Sequence, residues 1–409
     1  MTHEEALALD RADPLASVRD KFLLSEGVIY LDGNSLGPLA RSARARIADV
    51  VDREWGEGLI RSWNDAHWIE APRRVGGKIA RLIGARPDEV VVADSTSVNL
   101  HKLLVAALRA RPGRRTLLTE TGNFPTDLYV AHGAAAASPG ANLRAVDPSA
   151  VEDAIDGDTA VVLLTHVHYK SAARRDMARL TAAAHAAGAL MLWDLSHSVG
   201  AVPLDLAACG ADLAVGCGYK FLNGGPGAPA FLFVAERLQA ELFSPLTGWM
   251  GHAAPFDFSD DWRPAAGIGQ FLTGTPPILG LAGLEAGVDL ALGVEETARD
   301  RKAEALWNLF ARLMESRLAG HGFHLLTPGD PALRGSHIAY AHPEGYRIMQ
   351  ALIARGVIGD FREPGVVRFG LTPLYLSFED VWRAIDILAQ IMAVGAWKHA
   401  PARTPGRVT

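Results

Sequence analysis

Lys220 lies between an apolar run and a glycine-rich turn, in Val215-Gly216-Cys217-Gly218-Tyr219-Lys220-Phe221-Leu222-Asn223-Gly224-Gly225-Pro226-Gly227. A solvated lysine ordinarily has polar neighbours, so this setting implies a partly desolvated amine. Desolvation disfavours the ammonium form, and the neutral amine is the form that attacks an aldehyde to give a Schiff base. One loop–helix–strand unit upstream, Leu190-Met191-Leu192-Trp193-Asp194 reads as a buried parallel strand ending in a carboxylate. A carboxylate and a lysine at the ends of neighbouring strands suit pyridoxal phosphate (PLP): the first holds the pyridinium nitrogen, the second the aldehyde carbon. Taken singly, Lys220 also reads as a surface charge, and Asp194 as a cap for a helix starting in Leu195-Ser196-His197-Ser198.

Such a cofactor needs a phosphate site. A β-branched run over residues 90–92 leads through Ala93 into Asp94-Ser95-Thr96-Ser97, and an amphipathic helix follows with Leu100, Leu103, Leu104, Ala107 and Leu108 on one side. Thr96 and Ser97 therefore fall at a helix N-terminus, where free N–H groups and the macrodipole favour a dianion. An ordinary Ser/Thr cap fits the same residues. No Walker A motif and no GxGxxG follows a strand, which argues against ATP or NAD at this turn.

Eight segments in order extend the pattern over almost the whole chain: Ile29-Tyr30-Leu31-Asp32-Gly33-Asn34-Ser35-Leu36-Gly37-Pro38, Gly58-Leu59-Ile60-Arg61-Ser62-Trp63-Asn64, Asn123-Phe124-Pro125-Thr126-Asp127, Trp193-Asp194-Leu195-Ser196-His197-Ser198, Tyr219-Lys220, Gly248-Trp249-Met250-Gly251-His252, Gly274-Thr275-Pro276-Pro277 and Val367-Arg368-Phe369-Gly370. In these the chain resembles the kynureninase family, within the fold-type I, aminotransferase class V-like PLP enzymes. The resemblance implies PLP on Lys220, with that amine and Tyr219 moving protons and Asp194 keeping the ring nitrogen protonated. It sets His197 and Thr165 near the ring, Phe124 stacked on it and Asp127 in the same cofactor-contacting motif. Trp249 and Thr275 match positions that reach the phosphate from the neighbouring subunit of a homodimer. The activity implied is hydrolysis of L-kynurenine to anthranilate and L-alanine in tryptophan catabolism.

For the substrate, Arg368 inside the apolar Val366-Val367-Arg368-Phe369 is the candidate for the α-carboxylate, since a guanidinium fork matches a carboxylate bidentately. Asn34 and Ser35 on a glycine-flanked loop, and Trp63, are candidates to line the pocket. Relatives that favour 3-hydroxykynurenine place a histidine near the Trp63 position and an asparagine where Thr275 stands. The resemblance therefore implies a preference for the unsubstituted substrate. His166 and His168 share one strand face, but no third ligand with sensible spacing lies nearby, so no metal is expected.

The 409 residues carry 49% hydrophobic and 21% charged side chains, the composition of a soluble globular protein. A net charge of −6 gives no reason to bind nucleic acid or an anionic membrane. Cys209 and Cys217 are the only cysteines, no basic-then-apolar leader opens the chain, and no apolar stretch spans a bilayer; a cytoplasmic location is expected.

Helical patterns alternate with apolar strands at 90–92, 116–118, 160–165, 189–193, 213–215 and 230–234. This predicts an α/β fold, a large doubly wound, mostly parallel sheet domain with ligands at the carboxyl ends of its strands, plus a smaller α+β domain. The expected divisions are an N-terminal segment over 1–45 that packs on the small domain, a cofactor domain over 46–280, the small domain over 281–400 and a disordered tail over 401–409. Another fold-type I lyase, such as a cysteine desulfurase, is the nearest alternative. It would need a mobile-loop cysteine, whereas Cys209 and Cys217 flank the strand leading to Lys220. A PLP-sensing regulator would need an added DNA-binding domain and a basic surface.

Overall fold

A computed structural model describes residues 1–402. The described residues form two compact units: Ala43–His168 with Arg175–Asp289, and Met1–Ser42 with Tyr169–Arg174 and residues 290–402.

The first unit is built on seven strands, β1 (Val90–Val92), β2 (Thr116–Glu120), β3 (Asn142–Val146), β4 (Thr159–Thr165), β5 (Leu190–Asp194), β6 (Leu213–Gly216) and β7 (Phe231–Val234). Their order is β1-β7-β6-β5-β4-β2-β3. Only β7 is reversed, running antiparallel to β1 and β6. The other pairs are parallel, so β1, β4 and β5 all end at one edge of the sheet. Every strand but β3 is buried along its length, as near-continuous Val, Leu and Phe runs require when helices cover a sheet. Strand β3 is the edge that the sequence pattern missed. Its half-exposed Asn-Leu-Arg-Ala-Val has neither an apolar run nor turn signals to mark it.

Helix α1 (Thr96–Ala110) follows β1, α2 (Pro125–Ala136) follows β2, and α3 (Met177–Ala186) packs on β5. The sheet therefore presents three helix or turn starts at the ends of β1, β2 and β5.

In the second unit, strands β8 (His324–Leu325), β9 (His337–Ala341), β10 (Asp360–Arg362) and β11 (Val366–Gly370) form an antiparallel sheet in the order β10-β11-β9-β8. Helices Glu296–Leu318 and Phe378–Ala393 pack on each other, and the N-terminal helix His3–Ala12 packs on the latter. Asp10 accepts hydrogen bonds from Phe378 N (2.7 Å) and Glu379 N (2.9 Å), a carboxylate at the positive end of that helix. Ile29–Tyr30 pairs in parallel with Val357–Ile358. The N-terminal helix starts at His3 because Thr2 and Glu5 close a capping box. Residues 403–409 of the expected tail lie outside the described residues. Among the described residues no helix is long and apolar enough to cross a membrane.

Candidate active site

At the sheet edge of the first unit, parallel register sets Thr165, the last residue of β4, beside Asp194, the last of β5. The Thr165 hydroxyl lies 2.5 Å from Asn123 Oδ1 and 3.3 Å from Asp127 Oδ2. Asn123 Oδ1 also accepts from Phe124 N at 2.7 Å, which fixes the turn into α2. Phe124 is the N-cap residue and Pro125 opens the helix with its φ preset, so Asp127 falls in the first turn, pointing inward and buried.

Asp127 and Asp194 form a close carboxyl pair. Burial first, then the charge of Asp194, lifts Asp127 well above the usual carboxylate range. Two buried carboxyls this close disfavour a second negative charge on Asp127. Asp194 Oδ1 accepts from Ser196 N at 2.7 Å, closing a turn where a helix start was an alternative reading.

From that turn His197, buried, brings Nε2 to 3.0 Å from Lys220 Nζ. The same Nζ stands 5.9 Å from the centroid of Phe124 and 6.0 Å from that of Tyr219. The lysine is fixed by its glycine-rich turn: Asn223 N donates to Lys220 O (3.0 Å) and Gly224 N to Gly218 O (2.9 Å). Gly225 and Gly227 take φ of +88° and +70°, conformations that a side chain would strain. Tyr219 is half-buried, and burial and nearby acidic groups keep its phenol from ionising in the ordinary range.

Beside this cluster is a cavity of about 430 Å³ lined by the Ser95, Thr96 and Ser97 turn, Tyr219, the 227–230 segment and the 272–277 segment, which includes Thr275. Ser95 caps α1, its hydroxyl accepting from Val98 N at 3.4 Å, so the helix end with its free N–H groups faces this space. A pyridine aldehyde bearing a phosphate fits these residues. Hydroxyls and a helix end are present for the anion, an aromatic face at Phe124, a buried carboxyl pair for a ring cation and an amine for the aldehyde.

Thr96, Ser97, Phe124, Asp127, Thr165, Asp194, His197, Tyr219, Lys220 and Thr275 thus gather at one sheet edge. Thr275 does so within the single chain. Trp249 is more than a third exposed and packs edge-on against Phe256 at 5.8 Å. Trp63 packs edge-on against Trp68 (5.9 Å), whose indole N–H donates to Glu54 at 2.6 Å. His166 meets Ser198 Oγ, and His168 the Gly122 carbonyl, each at 2.9 Å.

In the second unit Arg368, on β11, is buried and faces Asp360 across the hairpin register. Its Nε donates to Asp360 Oδ1 at 2.7 Å and its Nη2 to Oδ2, a bidentate pair; Nη1 donates to the Tyr169 carbonyl. Ser35 donates to Asp360 at 2.7 Å and accepts from Arg368 Nη2 at 3.2 Å. Burial works to raise Asp360, but the hydrogen bonds and charge of Arg368, and then Arg362, outweigh it and hold the carboxylate at about 2. Asp32 is pushed the other way, to about 7, by burial and by the charge of Asp360. Asn34 is fully buried beside Gly370, with both amide atoms unpaired.

The sequence reading of Arg368 left out Asp360. The hint was there, since Asp360 and Arg368 flank Pro364-Gly365, a hairpin turn signal. Asn123, which the sequence marks only as part of the turn before α2, ties the Thr165 hydroxyl to Phe124 N through its Oδ1.

Residues 300–388 match the Kynureninase C-terminal domain family, and residues 61–324 the Aminotransferase class-V family. A kynureninase from Burkholderia mallei (strain SAVP1) is 51% identical over 414 residues, covering 100% of both chains. The chain belongs to the kynureninase family. Solved structures show how widely the fold is shared. An apo cysteine desulfurase from Thermococcus onnurineus NA1 superposes with a TM-score of 0.78 at 20% identity, covering 92% of this chain and 98% of that one. A mutant of C-DES with glycine covalently linked to its PLP cofactor gives 0.77 at 18% identity, covering 91% and 98%. Those likenesses show the fold alone, and the full-length kynureninase identity separates this chain from the desulfurase alternative.

Proposed function

We propose that the chain is a PLP-dependent hydrolase that cleaves the Cβ–Cγ bond of L-kynurenine, releasing anthranilate and L-alanine. The full-length identity to curated kynureninases carries this reading, and the lysine–histidine–carboxyl cluster agrees with it. When bound, PLP supplies an electron sink for charge developing on the substrate.

Lys220 Nζ is assigned the aldehyde, and afterwards the substrate α-proton, with His197 Nε2 within reach to accept or return it. Asp194, backed by Asp127, would keep the ring nitrogen of the cofactor protonated. Thr96, Ser97, Tyr219 and Thr275 would hold the phosphate, and the Tyr219 phenol, kept protonated, can donate a proton to the β-carbon, which stays with alanine, as water oxygen bonds to the γ-carbon and the Cβ–Cγ bond breaks. Arg368 is assigned the α-carboxylate: Asp360 fixes its Nε–Nη2 edge, and Nη1 exchanges the Tyr169 carbonyl for the substrate. Ser35, bonded to that arginine, and Asn34, beside Gly370 on the same strand, are assigned as further substrate contacts.

Trp63 and Thr275 are assigned the aryl ring. Trp63 and Thr275 stand where relatives favouring 3-hydroxykynurenine place a histidine and an asparagine, so this wall lacks that hydrogen-bonding pair for a ring hydroxyl. A pocket lacking such a group discriminates modestly, so kynurenine should be preferred and 3-hydroxykynurenine turned over poorly. The exposed Trp55, Leu59, Ile60, Phe256 and Phe258 favour a homodimer, and the use of only two cysteines favours a reducing cytoplasm.

Anthranilate fluorescence on adding L-kynurenine tests the activity, and kcat/KM for both substrates tests the preference. No anthranilate from PLP-loaded protein rejects the function. A higher kcat/KM for the hydroxylated compound rejects the preference, and Trp63→His with Thr275→Asn should move the ratio toward it.

A further inference from the structure

Lys102 lies within α1, among Leu100, Leu103 and Leu104, and is 0% exposed. An ammonium taken wholly out of water is stable only when paired and hydrogen-bonded. Its Nζ donates to Asp94 Oδ2 at 2.5 Å and to the Phe271 carbonyl at 2.7 Å. Each partner begins one wall of the 430 Å³ cavity: Asp94 leads into Ser95, Thr96 and Ser97, and Phe271 into the 272–277 segment.

The turn at Asp94 is not a relaxed one. Asp94 takes φ of +46°, a region that side chains other than glycine rarely occupy. Two side chains of α1 hold it there, Lys102 through the carboxylate and Asn99 through the Ala93 carbonyl at 2.7 Å. Asp94 also lines the cavity, with its side chain 31% exposed. A bare carboxylate in that position would repel an incoming anion.

We propose that Lys102 is a positioning residue for the anion cavity: its buried ammonium clamps the two walls together and cancels the charge of Asp94, so that the cavity accepts a phosphate. This rests on reading the cavity as the PLP phosphate site.

The test is titration of apo protein with PLP, and with pyridoxal, which lacks the phosphate, followed by absorbance and by tryptophan quenching. Lys102→Met should weaken PLP on the order of tenfold or more, while pyridoxal affinity stays within about twofold. Lys102→Met with Asp94→Asn should bind PLP more tightly than Lys102→Met alone, because the uncompensated carboxylate is gone. Asp94→Asn alone, which leaves the lysine charge in place, should bind PLP at least as tightly as wild type and carries the test if Lys102→Met does not fold. Unchanged PLP affinity in Lys102→Met, equal losses for PLP and pyridoxal, or weaker PLP binding by Asp94→Asn would each overturn the proposal. A wild type that binds no PLP overturns the cofactor reading as well, and the wild-type titration alone tells the two failures apart.

Discussion

Asp32 gives the sharpest quantitative test, because its carboxyl is raised from 3.8 to about 7 by burial and the charge of Asp360, against the opposing hydrogen bond of Ser35 and charge of Arg368. The folded chain therefore keeps a proton that the unfolded chain loses as pH rises from about 4 to 7. Stability falls across that window and levels off above it. A shift of about three units at ~1.4 kcal/mol each makes the cost of ionised Asp32 at pH 8 roughly 4 kcal/mol. Asp32→Asn removes the charge and keeps the side-chain shape, with about 1 kcal/mol lost in hydrogen bonding. The variant should be more stable than wild type by roughly 2–3 kcal/mol at pH 8, and the advantage should vanish near pH 4. Urea midpoints of the apo protein at pH 4.5, 6 and 8 measure it. A variant no more stable than wild type at pH 8, or a difference constant with pH, refutes the reasoning. The same proton bears on function, since a second anion beside the Asp360–Arg368 pair disfavours a substrate carboxylate there. KM should rise as pH passes about 7 in wild type and stay flatter in Asp32→Asn.

Asp194→Asn should weaken PLP binding and slow α-proton removal, because a neutral amide cannot hold the ring cation; the substrate deuterium isotope effect should grow, and an unchanged rate counts against the role. Arg368→Ala should raise KM with a loss of about 2–5 kcal/mol in substrate recognition, and should also lower stability by about 3–5 kcal/mol because Asp360 loses its bidentate partner. Wild-type kinetics in that variant would remove Arg368 from the site. Mixing Lys220→Ala subunits with subunits carrying Trp249→Ala and Thr275→Ala should restore activity if these two residues serve across a dimer; verified hybrids with none would assign Thr275 to its own chain, where it already lines the cavity.

Much of the architecture was legible because it rests on local pattern. Runs such as Leu190-Met191-Leu192-Trp193 can only be strands buried on both faces, and the residue ending each run must then lie at the sheet edge where ligands bind. That logic located Asp194, Thr165 and the Ser95 turn with little help from anything distant. The edge strand β3 escaped because solvent on one side dilutes the pattern.

What stayed hidden was how charges pair. Arg368 drew notice as a guanidinium in an apolar strand, and the inference to a free carboxylate-binding fork followed naturally. Its partner is set by hairpin register, Asp360 opposite Arg368, and register is a property of two strands together. Lys102 is the same case on a helix: amid leucines it reads as an interruption of the apolar face, yet burial there demands a partner, and Asp94 lies just upstream of the cap. A buried cation is thus better read in sequence as a demand for an anion than as a site for a ligand. For Arg368 this means that a substrate carboxylate must displace a backbone carbonyl, while Asp360 keeps its hold on the other edge of the guanidinium.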